Sequence, residues 1–311
     1  MAETRVGIAA TCFLDKWESM DTYAFLEQCH GFGAAGVQVP VRGDLRGIRA
    51  RAEQLGMYIE AMIPMPDENG TECFEQGLKD AREVGAVAIR SACLPTRRYE
   101  TFSTLADWQA FVASSHKSIE AAAPLLDRYK IPLGLENHKD WTADEFTALM
   151  KKYSSEYLGV CLDFGNNISL LDDPMEAIKK LAPYAAVTHM KNIDVRRYED
   201  GFLLSEVVPP DGILDLPAII STIRSARPQT RFLLEMITRD PLKIPCLAER
   251  YWTTFPDRNG LCLARTLKLV EEQRSTKPLP RISQLLPEER ARVEHTNVAA
   301  CMDYVRNTLR I

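Results

Sequence analysis

Residues 132–136 read PLGLE, 158–166 LGVCLDFGN, 185–192 AAVTHMKN and 231–236 RFLLEM. Each is a short run of small, branched or leucine side chains that stops on a polar group: Glu136, Asp163, His189 and Glu235. Apolar runs of this length, bounded by turn and helix signals, read as buried parallel strands. Glu136 and Asp163 lie 27 residues apart and Asp163 and His189 lie 26 apart, the length of one strand, one helix and two short loops. The gap of 46 residues to Glu235 calls for a longer loop before the next helix.

Outward from this stretch the rhythm continues in both directions. On the N-terminal side, strand-like runs at Val6–Ala10, Gly36–Val39, Met57–Ile63 and Ala86–Ser91 alternate with helical patterns at Thr22–His30, Leu45–Leu55, Thr71–Val84 and Leu105–Tyr129. The punctuation has physical causes: Asp21 is a ready N-cap, Gly56 and Gly85 close helices, and Pro40 and Pro64 stop strands. On the C-terminal side, helices are expected at Thr142–Tyr153, with a Thr142/Glu145 capping box, and at Pro174–Leu181, Leu216–Ser225 and Leu261–Arg274. Eight strand-then-helix repeats predict a single α/β domain, a (β/α)8 TIM barrel over residues 1–275. A doubly wound sheet is the competing fold, but no glycine-rich turn follows the first strand. Residues 276–311 form a C-terminal extension: STKPLPR (275–281) reads as a linker, and Pro287–Leu309 as a polar helix that packs on the barrel or on a second subunit.

The 311 residues are 46% hydrophobic and 26% charged, which is ordinary for a globular protein with a large core. A net charge of −5 with no Lys/Arg run excludes phosphate-backbone binding, so no nucleic-acid partner is expected. The eight cysteines are scattered without a CxxC pair, which suits reduced thiols and a cytoplasmic location. No signal-peptide pattern or membrane span is read.

Strand parity turns the four terminal residues into a site. In a parallel barrel alternate side chains point inward, and chemistry gathers at the C-terminal strand ends. An inward Glu136 takes Gly134 with it and sends Leu133 and Leu135 to the helices. An inward Asp163 goes with Cys161 and Gly159, and an inward Glu235 leaves Phe232 and Leu234 outside. Three carboxylates and one imidazole on consecutive strands carry about −3 charge and repel one another unless a cation sits among them. Oxygen-rich ligation with one nitrogen suits one divalent ion, manganese first, with magnesium, cobalt or zinc as alternatives.

The segments LENH, GVCLDFGN, HMKN and LLEM resemble the xylose isomerase-like TIM barrels, a group that includes sugar-phosphate isomerase/epimerase-like proteins, ketose 3-epimerases, inosose dehydratases and metal-dependent AP endonucleases. The resemblance spans residues 5–275, and PPDGILDL (209–216) resembles the group's turn before helix seven. It implies a metal bound by Glu136, Asp163, His189 and Glu235, with Glu136 and Glu235 also moving protons. The implied activity is a sugar isomerase or epimerase working through an enediolate on a small-molecule sugar. The alternative is a lyase or dehydratase that eliminates from a 3-keto glycoside or an inosose-like cyclitol by the same chemistry. A homodimer or homotetramer is also implied. An AP-endonuclease site would be richer in histidine.

Four further residues are candidates to bind substrate: His138, of the same parity as Glu136; Asn166, where ketose epimerases carry a histidine; Lys191, of the same parity as His189; and Arg196. Cys12, Phe13, Arg42, Met62, Cys93 and residues 96–100 are material for the pocket wall, with Arg97 and Arg98 read as solvated. Trp17 and Trp141 are read as packing residues, and Tyr251 and Trp252 as closing the mouth or an interface.

Overall fold

The computed structural model describes residues 5–14, 20–273 and 277–311; Trp17, Arg274 and the start of the 275–281 linker lie outside them. Eight parallel strands carry the barrel: β1 (Val6–Ala9), β2 (Gly36–Val39), β3 (Tyr58–Met62), β4 (Ala88–Ser91), β5 (Leu133–Glu136), β6 (Leu158–Asp163), β7 (Ala185–His189) and, after an intervening hairpin, β10 (Phe232–Leu234). β10 pairs with β1. The last seam is drawn together at Met190, whose N–H donates to Leu233 O at 2.7 Å and whose carbonyl accepts from Glu235 N at 3.0 Å. This closure excludes the doubly wound alternative, whose sheet stays open at both edges.

The outward halves of the strands pack on α1 (Thr22–Gly31), α2 (Leu45–Leu55), α3 (Glu72–Glu83), a short α4 (Arg98–Thr101), α5 (Leu105–Tyr129), α6 (Ala143–Tyr153), α7 (Pro174–Leu181) and α8 (Leu216–Ala226). The expected caps form. Asp21 accepts from Tyr23 and Ala24 N–H, and Thr142 and Glu145 close a capping box. Inside the barrel, Ala88, Cys161 and Val187 form a separate small cluster beneath the mouth, and β5 and β6 contribute glycines there. A Cβ on Gly134 would lie 2.9 Å from Cys161 N, so this wall admits no side chain.

The 46-residue gap is not a plain loop. β8 (Asn192–Tyr198) and β9 (Gly201–Val207) form an antiparallel hairpin, extended by β11 (Leu242–Ile244). The PPDGILDL turn then doubles back onto β8. Leu214 N donates to Asn192 Oδ1 and Ile213 N donates to Ile193 O, and a Cβ at Gly212 would fall 2.1 Å from Asn192 Oδ1.

After a short α9 (Glu249–Trp252), the segment expected as helix eight is α10 (Gly260–Gln273), and it packs on β8 and β9 rather than on the barrel wall. The wall position at the β10–β1 seam is taken by α11 (Pro287–Tyr304). Its Val298, Cys301 and Met302 join the core, its Glu294 accepts from Leu14 N, and Arg306 just beyond it donates to Phe32 O. Periodicity marks both segments as amphipathic but cannot say which strand each one covers. None of the eight cysteines forms a disulfide. Among the described residues no helix is long and apolar enough to cross a membrane.

Candidate metal centre

Glu136, Asp163 and His189 are the last residues of β5, β6 and β7, and Glu235 directly follows β10. Their donor atoms lie within 4.8 Å of one another, and none of the four residues is more than 3% exposed. His189 Nδ1 sits 3.5 Å from Glu136 Oε2 and 3.3 Å from Glu235 Oε1, yet makes no hydrogen bond. Asp163 Oδ1 is used locally, accepting from Gly165 and Asn166 N–H at 2.9 and 2.8 Å. Its Oδ2 makes no hydrogen bond and lies 2.7 Å from Lys191 Nζ in an ion pair.

A buried imidazole lone pair without a partner, among three buried carboxylates, fits a divalent cation with oxygen-rich ligation. The alternative occupant is a proton. Burial opposes charge on His189, but Cys161, Glu235 and Glu136 push its pKa well above the ordinary value. Either occupant, a proton on Nδ1 or a divalent ion, places positive charge among the carboxylates.

The protein supplies part of that compensation from its own side chains. Arg90 on β4 donates its Nε to Glu136 Oε2 at 2.6 Å, with Nη2 on the same oxygen. Lys191 places its ammonium 2.5 Å from Glu235 Oε2, 2.7 Å from Asp163 Oδ2 and 3.4 Å from Glu206 Oε1. Burial raises the pKa of Glu136 and Glu235, but without a metal it is outweighed by Arg90 and a protonated His189 at Glu136 and by a protonated His189 and Lys191 at Glu235, which hold both below the usual carboxylate range. At Lys191, burial is outweighed by Asp163, Glu206 and Glu235.

A cavity of about 830 Å³ opens over the C-terminal ends of β1 to β5. Thr11 lines it and donates to Glu235 Oε1 at 2.9 Å, and Arg90 lines it and holds Glu136. The cavity thus meets both glutamates through one neighbour each.

A family model described as a xylose isomerase-like TIM barrel matches residues 26–253. The chain belongs to that family. Among curated relatives of this xylose isomerase-like barrel is the 3-oxo-isoapionate decarboxylase of Pectobacterium atrosepticum, 28% identical over 211 residues that cover 65% of this chain and 72% of the relative. Among solved structures, D-psicose 3-epimerase in the presence of D-fructose superposes with a TM-score of 0.63 at 16% identity, over 97% of this chain and 98% of that one. A xylose isomerase-like TIM barrel protein from Mycobacterium smegmatis in complex with magnesium gives 0.55 at 18% identity, over 85% and 98%. These two structural likenesses concern the fold.

The fold brings three of the four expected substrate-binding residues of this xylose isomerase-like barrel to the site. Asn166, buried, donates Nδ2 to Glu136 Oε1 at 3.2 Å and accepts from Lys139 Nζ. An ammonium only donates, so Asn166 must present its oxygen to Lys139 and its NH2 to Glu136. Lys191 is no solvated lysine, being wedged among the carboxylates. His138 follows the end of β5, so the strand parity does not extend to it; its ring lines the cavity, with Nδ1 against Leu94 O at 3.0 Å, and burial lowers its pKa to about 3. Arg196 is not brought to the cavity. It lies on β8, and its guanidinium donates to Lys277 O, because alternate residues of this hairpin strand face away from the barrel.

Of the pocket-wall candidates, Arg42, Met62 and Cys93 line the cavity, while Cys12 and Phe13 are buried beside it. Arg98 is also corrected from solvated to buried: it stacks between Trp108 and Phe255. Trp141 packs on Trp108 and Phe111 as expected, and Tyr251 is buried, donating to Ser169 O at 2.8 Å.

Sequence reasoning missed Arg90, Thr11, Lys139, Glu206, Gln38 and Glu60. A signal existed for three of them. Gln38 in GVQV, Glu60 in YIEAM and Arg90 in AIRS each interrupt an otherwise apolar strand, and parity, applied above only to the last strands, turns them inward.

Proposed function

We propose that the protein is a divalent-metal-dependent sugar isomerase or epimerase that turns over an α-hydroxy ketone through an enediolate. The observation that carries this reading is the pair of ionised glutamates, from β5 and from the end of β10, meeting at the unpaired Nδ1 of His189. Glu136, Asp163, His189 and Glu235 would hold the ion, which supplies Lewis-acid stabilisation of negative charge on neighbouring substrate oxygens.

Glu235, oriented by Thr11 and Lys191, takes the proton from the carbon beside the carbonyl. Glu136, oriented by Arg90 and Asn166, returns a proton from its own side. Both groups are ionised at neutral pH, so Glu235 is free to accept a proton and Glu136 returns one only after taking it from solvent; the depressed pKa weakens the first task and favours the second. Asn166 and Lys191 hold the glutamates and fix the geometry. His138 and Arg90 at the cavity floor meet the substrate.

A second reading, decarboxylation of a 3-oxo sugar acid, is favoured by the curated relative of that activity and by the cations Arg90 and Lys191 beside the carboxylates. There the C–CO2 bond breaks in place of C–H, its electron pair enters the same type of enolate, and a glutamate supplies the replacing proton.

Manganese-loaded protein in deuterated water, offered a panel of ketoses, is expected to place deuterium on the carbon beside the carbonyl, and Glu235→Gln is expected to lower the exchange rate by at least about 100-fold. Carbon dioxide release from 3-oxo acids without ketose labelling selects the second reading. Release of water or an aglycone selects elimination. No turnover in any arm contradicts the enediolate proposal.

A further inference from the structure

His189 has two ring nitrogens, and only Nδ1 faces the carboxylates. Nε2 points to the far side of the barrel, where it lies 2.7 Å from Gln38 Oε1. Gln38 Nε2 in turn donates to Glu60 Oε2 at 3.1 Å. Gln38 and Glu60 are register partners on β2 and β3 and are 0% and 2% exposed, so neither is a solvated surface group.

The orientation of this chain follows from what each group can do. The Gln38 amide presents its NH2 to Glu60 and its oxygen to His189, the orientation that Glu60 requires in its ionised form, which only accepts. That oxygen requires a proton on Nε2. A flipped amide would place NH2 against Nε2 and move the imidazole proton to Nδ1, the atom that faces Glu136 and Glu235.

We propose that Gln38 and Glu60 are positioning residues that keep the His189 proton on Nε2 and leave the Nδ1 lone pair aimed at the metal position. This rests on reading the four-residue cluster as a metal site. Groups behind a ligating histidine set its tautomer and ring orientation, and their loss typically weakens metal binding by about 10- to 100-fold.

The test is calorimetric titration of manganese into the full chain. Gln38→Leu, which offers no acceptor, is expected to bind about 10- to 100-fold more weakly than wild type. Gln38→Glu, whose carboxylate can again accept from Nε2–H, is expected to recover most of the loss. A purely structural role would move the melting temperature without this split between the two variants. Nitrogen-15 spectra of the zinc-loaded wild type provide a reading that needs no variant to fold: the proton is expected on Nε2 and the metal shift on Nδ1.

Wild-type affinity in Gln38→Leu, or metal on Nε2, overturns the relay and leaves the metal site standing. A wild type that binds none of manganese, magnesium, cobalt or zinc overturns the metal reading itself, and the relay with it.

Discussion

Asp140, four residues beyond Glu136, shows how far a buried carboxyl moves where, among the described residues, no cation forms an ion pair with it. It is fully buried; Oδ1 accepts from Trp141 and His138 N–H, and Oδ2 has no partner. Burial pushes its pKa from 3.8 up to about 7. Below about pH 4 it is protonated whether the chain is folded or not, and it has no linked effect on stability. Between about pH 4 and 7 the unfolded chain gives up the proton while the folded one keeps it, so stability falls as pH rises; above that the full cost persists. Asp140→Asn keeps an oxygen for the two N–H groups and removes the charge. The variant is expected to match wild type near pH 4 and to be more stable near pH 8, by at most on the order of 3–4 kcal/mol, read from chemical denaturation at the two pH values. Equal stabilities at pH 8 would contradict this assignment. The neighbouring Glu136 escapes the same fate through Arg90 and His189, and that difference was hidden in the sequence. The four ligand candidates were legible because each ends an apolar run. Arg90, Gln38 and Glu60 sit inside such runs, and their meeting with Glu136 and His189 depends on side chains crossing a barrel whose closure no local pattern displays.

At the scale of elements, the strands and their helices are readable from periodicity and caps, whereas the β8–β9 hairpin occupies a stretch whose sequence reads as loop. Its sequence, NIDVRRYEDGFLLSEV, does alternate and turns at Glu199–Asp200 before Gly201, but its charged residues mask the period. The hairpin contributes to the site, since Glu206 on β9 accepts from Ile237 N at 2.6 Å and from Arg239, and faces Lys191. A second element-level device is Arg98, which opens α4 and binds the segment after β11. Its Nε donates to Thr254 Oγ1 at 3.1 Å and Nη1 to Glu145 at 2.7 Å, while its plane lies 3.6 Å from the centre of Trp108 and 4.0 Å from that of Phe255. Lysine retains the charge and loses both the fork and the stacking. Arg98→Lys is therefore expected to cost up to about 3 kcal/mol and to expose residues 249–258 to limited proteolysis. Unchanged protection of that segment would remove Arg98 from this role.

Across the whole molecule, the closed barrel sets the distance relations that the chemistry needs. Strands β5, β6 and β7 and the end of β10 deliver the four candidate ligands to one point, residues on or after β1, β4, β6 and β7 hold the glutamates, and the cavity opens over the ends of β1 to β5. The α11 helix covers the β10–β1 seam beneath Glu235, so the C-terminal segment stabilises the strand end that carries one of the two glutamates. The central claim is that a single divalent ion sits among Glu136, Asp163, His189 and Glu235, and anomalous diffraction from crystals of manganese-loaded protein tests it most directly. The account predicts one strong peak about 2.0–2.4 Å from a carboxylate oxygen of each acid and from Nδ1 of His189. No peak there, or a peak bound elsewhere with His189 Nδ1 protonated against the two glutamates, would contradict it.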